Sequence, residues 1–547
     1  MRFGRRVFGF GPLVGPAAAT LAACAAAAAA AVPAPALADA GAISATASAP
    51  SEVSATAAAA LAARGGALSA QQRAVLQGIA QDTWRFYAAD VDPTTHLPLD
   101  NLGPGAVRGA YTSAANIGVY LWAVVAAHDL GLINSRQADS LASATLQEVS
   151  AMKRFDGFLY QWYDTANGAV LSNPGQPDCS ETTPSQDNCW FVSAVDNGWY
   201  ASGLIEVREA LPRLRWLADQ LLDPMNFSIF YDNRAQTACN TNPAVTGNQP
   251  TGQMYGGYYV DQGPAGYHNG ALYSDPRIAI YIGMGARQMP GDVWWRTWRT
   301  LPPMQCSTDP DFSWQGQWPV AGYWQTYTDP QSGKMFNVWE GHYTYPGTSL
   351  TFVPTWGGGM FEGLMANLVV PETTWGPHSF GLNDLRWAQV QMMYATQVLH
   401  YPVWGMSPSS TPDDTGNYDT YGVLGLRFPA EQQLAQCVSP NCTATEDTVT
   451  PHASVIALPV LPQQAYANIE ALRTLYPGVY TSDGGFYDAV NPVTGAIGHR
   501  RLVLDQSMIM AALDDALNDG ALQRHFANDP LSWAARLYLS DEQMSIH

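Results

Sequence analysis

Helical periodicity recurs along most of the chain, and it constrains the fold more than any other feature of the sequence. Apolar residues return every three or four positions over ten segments. These segments are 72–89, 114–131, 135–153, 197–222, 276–288, 359–368, 383–400, 463–475, 505–518 and 530–540. The sequence lacks the 34- or 40-residue repeat of a TPR or HEAT solenoid. The pattern therefore predicts an all-α domain built as a toroid of paired helices.

Four of the connections are far longer than a helical bundle needs, and all four are dense in glycine, proline, tyrosine and tryptophan. They are 154–196, 223–274, 301–358 and 401–462. Loops of this length are usually either functional or disordered, and disordered segments are poor in tryptophan and tyrosine. We therefore expect ordered, aromatic-rich loops over one end of the toroid, where the N-terminal ends of the inner helices would surround one cavity.

The charge balance excludes several classes of partner. The 547 residues include 26 basic and 46 acidic side chains, for a net charge of −20. Such a chain repels phosphate backbones and anionic lipid, so nucleic acid is not predicted as a partner. The 18 tryptophans and 26 tyrosines favour a neutral sugar as the ligand. The alternative is a large secreted protein whose aromatic residues only form its core.

The first forty residues have the pattern of an export signal. Arginines precede an apolar, alanine-rich stretch, and Ala38-Asp39-Ala40 offers the small residues of a cleavage site. Arg5-Arg6 permits twin-arginine export, and Leu21-Ala22-Ala23-Cys24 is the alternative, a lipoprotein box that would anchor the chain through a lipidated Cys24. The predicted location is therefore secreted, periplasmic or at the cell surface. No later stretch is long and apolar enough to predict a membrane span.

Residues 41–71 are rich in alanine and serine and are predicted to be a linker, which leaves one catalytic-size domain over 72–547. Six cysteines lie in that domain, and an even number in an exported chain indicates disulfides. The pairs Cys179–Cys189 and Cys437–Cys442 would each close a short loop. The two remaining cysteines would then form the third favoured pair, Cys239–Cys306. The absence of CxxC spacing argues against zinc, and no cofactor is predicted.

Three segments place an acidic residue among aromatic residues and glycines: Asp275 before Pro276, Glu340 in WEGHYTY, and Glu362 after three glycines. Glycoside cleavage needs a proton donor and a second carboxylate, so these three are the candidate catalytic residues. Two of them have a structural alternative, since Asp275 would also cap a helix and Glu362 would complement a helix dipole. The apolar neighbours of Glu362 are expected to raise its pKa toward that of a general acid.

Further polar and aromatic residues are candidates for sugar binding, because aromatic rings stack on sugar faces. Asp196 and Asp505 each come just before or at a predicted helix and would equally serve as caps, and the Asp413-Asp414 pair would equally shape a turn. The histidines are too scattered to predict a metal site. The candidate binding residues are Asp196, Trp339, His342, Tyr343, Trp356, Trp404, Asp413, Asp414 and Tyr421.

Five motifs occur in a characteristic order: TWGGGMFEGLMANLVVPETTWG, YPVWGMSPSSTPDDTGNYDTYGVLGL, VTPHASVIALP, GGFYDAVNP and LVLDQSMIMAAL. Together they resemble the glucoamylase-like domain family, which includes the endo-β-1,2-glucanases of glycoside hydrolase family 144 and the central domain of cyclic β-1,2-glucan synthases. The resemblance covers residues 75–540 and implies an (α/α)6 toroid that acts on β-1,2-linked glucose. It also implies that Glu362, Asp275 and Asp196 line the cleft. The cysteine-closed loops and WEGHYTY depart from the family pattern.

The sequence therefore predicts an exported, monomeric glycoside hydrolase that cleaves a neutral glucan within the chain, with β-1,2-glucan as the favoured substrate. Two carboxylates would do the acid and base work. A transglycosylase is a variant of this function. A polysaccharide lyase that uses Tyr343 and His342 as acid and base is a second alternative, and a glycan-binding lipoprotein anchored through Cys24 is a third.

Overall fold

The computed structural model describes residues 66–104, 109–180, 188–237, 248–300, 321–423 and 447–547. Within these ranges the chain forms mostly helix. The α-helices are α1 Ala70–Asp90, α2 Ala114–Asp129, α3 Ser135–Ala151, α4 Ala194–Ala210, α5 Arg215–Leu222, α6 Arg277–Gly285, α7 Asp292–Arg296, α8 Met360–Leu364, α9 Glu372–Trp375, α10 Phe380–Met393, α11 Pro451–Ile456, α12 Pro462–Leu475, α13 Val503–Leu517, α14 Ala521–Asn528 and α15 Trp533–Asp541.

Six of these helices form a closed inner ring. In ring order, α2 packs on α4, α4 on α6, α8 on α11, α11 on α13, and α13 closes the ring against α2. The Arg277 side chain joins α6 to α8 by donating hydrogen bonds to the carbonyls of Glu362 and Gly363. Six outer helices cover the ring. In ring order, α3 packs on α2, α5 on α4, α15 on α6, α10 on α8, α12 on α11 and α1 on α13. The predicted α/α toroid of paired helices is confirmed.

The inner helices are apolar on every side because they are enclosed by both the ring and the outer layer. In α2, every residue from Ala114 to Ala127 is buried. The helices α2 and α4 also approach each other unusually closely through two glycines. A Cβ atom built on Gly203 would lie 2.3 Å from the carbonyl oxygen of Gly118, and one on Gly118 would lie 2.3 Å from that of Trp199. This part of the ring therefore depends on glycine at both positions.

The strands are short, pair antiparallel, and lie in the connections between helices. They are β1 Asn101–Leu102, β2 Tyr111–Thr112, β3 Tyr163–Asp164, β4 Phe191–Ser193, β5 Tyr231–Asp232, β6 Ala235–Thr237, β7 Asn248–Pro250, β8 Gln253–Met254, β9 Gly257–Tyr259, β10 Gly263–Pro264, β11 Ala321–Thr328, β12 Met335–Thr344, β13 Thr351–Phe352, β14 Ser409–Ser410, β15 Tyr418–Asp419, β16 Tyr480–Thr481, β17 Gly485–Phe486, β18 Ala489–Val490, β19 Ile497–Gly498 and β20 Arg501–Leu502. The longest pair is the hairpin β11–β12, in which Trp324 faces Trp339.

Most of the predicted helices are confirmed within a few residues, and the differences have physical causes. The segment 197–222 is divided into α4 and α5 because Pro212 does not continue a helix and forces the preceding Leu211 out of the helical region. The segment 383–400 ends as α-helix at Met393 and continues as a π-helical turn. The prediction missed α7, α9, α11 and α14, since helices of four to eight residues show too few turns for a periodic signal.

Several terminal and cysteine predictions lie outside the described residues, namely the export signal, the lipoprotein box at Cys24, most of the linker and the pairs Cys239–Cys306 and Cys437–Cys442. The predicted bond between Cys179 and Cys189 is present, with Cα atoms 5.9 Å apart. The first helix begins at Ala70, where Ser69 and Gln72 form a capping box. Over the part of the chain that the model describes, no helix has the length and apolarity needed to cross a membrane.

Substitution of Gly203 by alanine is expected to destabilise the toroid. The added methyl group would meet the backbone oxygen of Gly118, and overpacking of this kind costs about 1–3 kcal/mol. Gly78 provides the matched control, because it lies inside α1 with no atom within 4 Å of an added Cβ. There, alanine is expected to raise the free energy of unfolding by about 0.5–1 kcal/mol. Urea unfolding of both variants measures the difference, and equal effects would show that the α2–α4 contact tolerates a wider separation.

Candidate functional site

The N-terminal ends of five inner helices meet at one cavity of about 520 Å³, counting space open to solvent. Residues at the beginning of α2, α4 and α13, just before α6, and within and just after α8 form one part of its wall. The loops 154–196 and 223–274 supply the rest. The lining residues are Ala115, Gln161, Phe191, Ser193, Val195, Asp196, Trp199, Gly256, Tyr267, Asn269, Asp275, Phe361, Met365 and Leu504. The cavity thus combines two carboxylates with aromatic and amide side chains.

Asp275 lies in the cavity wall just before α6 and is almost fully buried. Burial raises the pKa of its carboxyl to about 7, and the negative charge of Asp196 adds to the rise. Hydrogen bonds from Ser274 and Trp199 and the charge of Arg277 oppose it. The Ser274 hydroxyl lies 3.2 Å from the carboxylate. A carboxyl group with this pKa is poised to exchange a proton near neutral pH.

Asp196 faces the same cavity from the first turn of α4. Burial raises the pKa of its carboxyl, while hydrogen bonds from Ser193 and Gln161 favour the ionised form. The Gln161 amide nitrogen donates to the Asp196 carboxylate at 3.2 Å. Asp196 remains partly exposed to the cavity. It is therefore the better solvated of the two carboxylates that line the site.

The capping alternative is wrong for all three aspartates that begin helices. Ser193 caps α4, where its hydroxyl accepts a hydrogen bond from the backbone nitrogen of Asp196. No side-chain cap is present at the beginning of α6 or α13, so neither Asp275 nor Asp505 serves as one. These carboxylates lie near the positive ends of helix dipoles, but none of them belongs to the residue whose side chain caps its helix.

Glu362 lies next to the cavity but does not line it. Its side chain is fully buried, while its neighbour Phe361 and also Met365 form the wall. Burial raises the pKa of Glu362 well above its usual value, the charge of Asp275 adds to the rise, and hydrogen bonding to Thr355 and the Gly359 backbone opposes it. Glu362 is therefore not among the residues that line this cavity, and its catalytic role stays a prediction. Its carboxyl lies behind the wall and close enough to Asp275 for the two charges to interact.

The glycines before α8 serve a contact with another segment of the chain. Gly357 and Gly358 both have φ near +70°, a conformation that favours glycine. A Cβ atom on Gly358 would lie 2.8 Å from the backbone nitrogen of Val423, and that nitrogen donates to the Gly358 carbonyl at 3.0 Å. The three-glycine segment therefore packs against the backbone near Val423.

Arg277 fixes the segment that carries Asp275. Its fully buried guanidinium forms a bidentate ion pair with Glu372, with distances of 2.7 and 2.8 Å. It also donates to the carbonyls of Ser274 at 3.0 Å, Glu362 at 3.2 Å and Gly363 at 2.5 Å. One side chain thus holds the backbone of both acidic segments. Buried charge of this kind is stable only when its hydrogen bonds are satisfied, and here they are.

A second polar cluster lies beside the cavity and consists of His452, Asp488 and Asp505, all of which are buried. One ligand-type atom from each lies within 4.8 Å of the others. The Tyr418 side chain is close enough to Glu362, Asp488 and Asp505 for their charges to raise the pKa of its hydroxyl. Folding thus brings one histidine to two aspartates that are distant in the sequence, which the spacing of the histidines did not indicate.

Glu340 lies away from the cavity, in a buried network under the β11–β12 hairpin. The Tyr327 hydroxyl donates to it at 2.7 Å, and the Arg299 Nε lies 3.8 Å away. Arg299 also pairs with Glu542. Burial raises the pKa of Glu340 to about 8, and the charge of Glu542 adds to the rise. The structure thus gives Glu340 a place in the packing of the hairpin and does not bring it to Asp275.

The remaining predicted binding residues are likewise absent from the cavity wall. Asp413 accepts hydrogen bonds from Thr411 and Thr415 within an exposed turn, and Asp414 pairs with His499. The structure describes only the backbone of Trp356. The others are mostly buried in the hairpin or the core: Trp339, His342, Tyr343, Trp404 and Tyr421. Of the predicted binding residues with described side chains, Asp196 alone lines the cavity.

Sequence reasoning missed most of the polar and aromatic wall. Gln161, Phe191, Tyr267 and Asn269 come from the two long loops, which were expected to surround a site but offered no spacing that singles out these positions. Trp199 follows Asp196 by three residues and so lies on the same face of α4. That helical spacing was the available signal for Trp199.

Family comparisons agree with the motifs. Residues 326–530 match a family described as "putative glucoamylase", and residues 78–263 match one described as a protein of unknown function, DUF3131. The cyclic β-(1,2)-glucan synthase NdvB of Rhizobium meliloti (strain 1021) is 32% identical over 135 residues, which are 24% of this chain and 4% of that protein. The chain thus spans a small part of this curated relative. The resemblance to glucoamylase-like proteins is confirmed.

Solved structures agree with the fold. An endo-β-1,2-glucanase from Chitinophaga pinensis, in complex with sophorotriose and glucose, matches with a TM-score of 0.58 and 16% identity, covering 87% of this chain and 99% of that one. A β-1,2-glucanase from Parabacteroides distasonis matches with a TM-score of 0.60 and 13% identity, covering 87% and 61%. At these identities the likeness establishes the shared α/α toroid.

The raised pKa of Asp275 predicts a pH-dependent stability cost. Its carboxyl ionises near pH 4 when unfolded and near pH 7 when folded, so the native state loses stability as pH rises through that window. The full cost is about 4 kcal/mol above pH 7 and absent below pH 4. In urea unfolding, Asp275→Asn is expected to gain stability relative to wild type between pH 4 and pH 8.

Asp413→Asn is the control for this experiment, because hydrogen bonds lower the pKa of that exposed carboxyl. The stability gained by ionising Asp413 is present above its unfolded pKa and lost on acidification. This variant should therefore become slightly less stable than wild type as pH rises. A flat difference between Asp275→Asn and wild type across the range would show that Asp275 is not protonated in the native state.

Proposed function

We propose that the protein is an exported glycoside hydrolase that cleaves β-1,2-linked glucan within the chain. One observation carries the proposal: Asp275 and Asp196, from two inner helix starts, face one cavity walled by aromatic and amide side chains. Glycoside hydrolysis requires such a pair of carboxyl groups. The substrate is supported by the family match and by the glucanase names of the structural relatives.

Asp275 is the proton donor in this proposal. Its pKa of about 7 keeps it largely protonated below neutral pH, and a general acid works best when its pKa lies near the working pH. In this proposal Asp196 is the ionised partner, and its charge contributes to the raised pKa of Asp275. Two carboxyl groups whose environments separate their pKa values divide the acid and base roles.

Asp196 is the second carboxylate, which acts on water or on the anomeric carbon. It is partly exposed to the cavity and is oriented by the Gln161 amide. Phe191, Trp199 and Tyr267 offer apolar faces for glucose rings, while Asn269 and Gln161 offer hydrogen bonds to hydroxyls. A neutral sugar fits this wall, because the lining residues include no lysine or arginine that would bind a uronate.

The lyase alternative lacks support in the site, because His342 and Tyr343 lie on β12 and are not among the residues that line the cavity. A transglycosylase would use the same carboxylates with a sugar as acceptor. Glu362 and Glu340, which the sequence favoured as catalytic, are not among the residues that line the cavity. Substitution of either residue therefore tests the proposal, because it predicts that both variants keep their activity.

Asp275→Asn and Asp196→Asn are each expected to lower kcat on β-1,2-glucan by about 10²–10⁴-fold, the usual loss for an acid or base group. Reducing ends and product size measure turnover, and ultraviolet absorbance detects the unsaturated products of a lyase. Glu340→Gln is the matched control, since it removes another buried carboxyl with a raised pKa and should retain activity. Binding of glucan without any product would replace the hydrolase with a binding protein.

Glu362→Gln separates the two assignments of the acid. Its carboxyl is fully buried behind the wall, where burial raises its pKa, so an uncharged isostere should leave kcat within a few-fold of wild type. A loss as large as that of Asp275→Asn, in a variant with native thermal stability, would transfer the proton-donor role to Glu362. The hydrolase itself would stand in that case.

The pH profile follows from the proton on Asp275. Activity requires this carboxyl to be protonated, so kcat/KM is expected to fall tenfold per pH unit as pH rises past about 7. Measurement of initial rates between pH 4 and pH 9 tests this limb. A rate that keeps increasing above pH 8 would exclude Asp275 as the acid.

A further inference from the structure

Three elements far apart in sequence bring His452, Asp488 and Asp505 together. His452 lies on α11, Asp505 lies on α13, and Asp488 lies between β17 and β18. Each is at most 2% exposed. Their ligand-type atoms lie within 4.8 Å of one another, and the His452 Nδ1 is 3.3 Å from an Asp505 oxygen.

The imidazole of His452 is not satisfied by the protein around it. Neither ring nitrogen has a hydrogen-bond partner, although both are buried. The contact with Asp505 is close but does not have the geometry of a hydrogen bond. Buried polar atoms without partners are costly and rare. An unpartnered imidazole beside two carboxylates is an arrangement that a cation would satisfy.

The charges around the cluster favour a cation. Among the described residues, no lysine or arginine nitrogen lies within 4.0 Å of either Asp488 or Asp505. Asp488 accepts a hydrogen bond from the Ser410 backbone at 2.6 Å, and its side chain lies against the Asp505 carboxyl. Asp100 adds a further negative charge near Asp505. Two buried carboxylates with so little compensation require a proton or a metal ion.

The donor set points to the kind of ion. One imidazole nitrogen with two carboxylate oxygens suits divalent transition metals such as Zn²⁺ and Mn²⁺, whereas Ca²⁺ and Mg²⁺ favour sites built from oxygen alone. The neutral form of histidine is the one that ligates, and both ring nitrogens of His452 are buried without a hydrogen-bond partner.

We propose that His452, Asp488 and Asp505 bind one divalent transition-metal ion. The site lies directly behind the cavity wall, because Leu504 precedes Asp505 and the Phe361 ring centre is 6.4 Å from that of His452. A metal ion there would brace α11 and α13 against the segment that carries Asp488. The proposal rests on these three side chains and is independent of the proposed glycosidase activity.

Calorimetric titration of the full-length chain, after dialysis against a chelator, tests the proposal at pH 7.5 with ZnCl₂, MnCl₂, CaCl₂ and MgCl₂. One equivalent of Zn²⁺ or Mn²⁺ is expected to bind at least tenfold more tightly than Ca²⁺ or Mg²⁺. The thermal midpoint of the wild type should rise with that ion. Absence of saturable binding would overturn the site and leave Asp488 and Asp505 as a pair of carboxyl groups that share a proton.

His452→Gln and Asp505→Asn are each expected to weaken binding at least tenfold and to abolish the thermal shift. His499→Gln is the matched control, because His499 also pairs with an aspartate, at 2.9 Å from Asp414, but on the surface. It should bind like the wild type. Far-ultraviolet circular dichroism without metal confirms that each variant folds, and if His452→Gln unfolds, Asp505→Asn provides the measurement. Unchanged affinity in a folded His452→Gln or Asp505→Asn would also overturn the assignment, whatever the outcome with glucans.

Discussion

The ion pair between Arg277 and Glu372 is the contact on which the arrangement of the site depends. Both side chains are fully buried, so the pair is stable only because every strong donor of the guanidinium is used. Those donors reach the carbonyls of Ser274, Glu362 and Gly363, and the Tyr281 hydroxyl donates to Glu372 at 2.7 Å. The same contact completes the ring between α6 and α8 and sets where Asp275 meets the cavity.

The end of the toroid where the inner helices begin has a concentration of acidic side chains that a purely structural fold would avoid. Asp196, Asp275, Glu362, Asp488 and Asp505 are all held there with raised pKa values, and burial is the first cause in each case. Burial of carboxyl groups lowers native stability at neutral pH. Perturbed groups gathered in a cleft are typical of a functional site, and the positive ends of helix dipoles offset part of their cost.

The sequence predicted the toroid well and the site in part, for a physical reason. Helical periodicity is local, so ten segments and their pairing were readable, as was the disulfide that closes the short Cys179–Cys189 loop. Which acid faces the cavity depends on contacts between distant segments. Glu340 was favoured for its aromatic neighbours, but folding places it beside Glu542, which comes far later in the sequence. Similarly, His452 stands alone in sequence until folding brings it to Asp488 and Asp505.

Closure of the ring has a consequence for how the chain reaches this structure. The first inner helix, α2, packs on the last, α13, and α1 also packs on α13. The ring is therefore incomplete until nearly the whole domain has been synthesised, and the entropy of closing so long a loop makes folding slow.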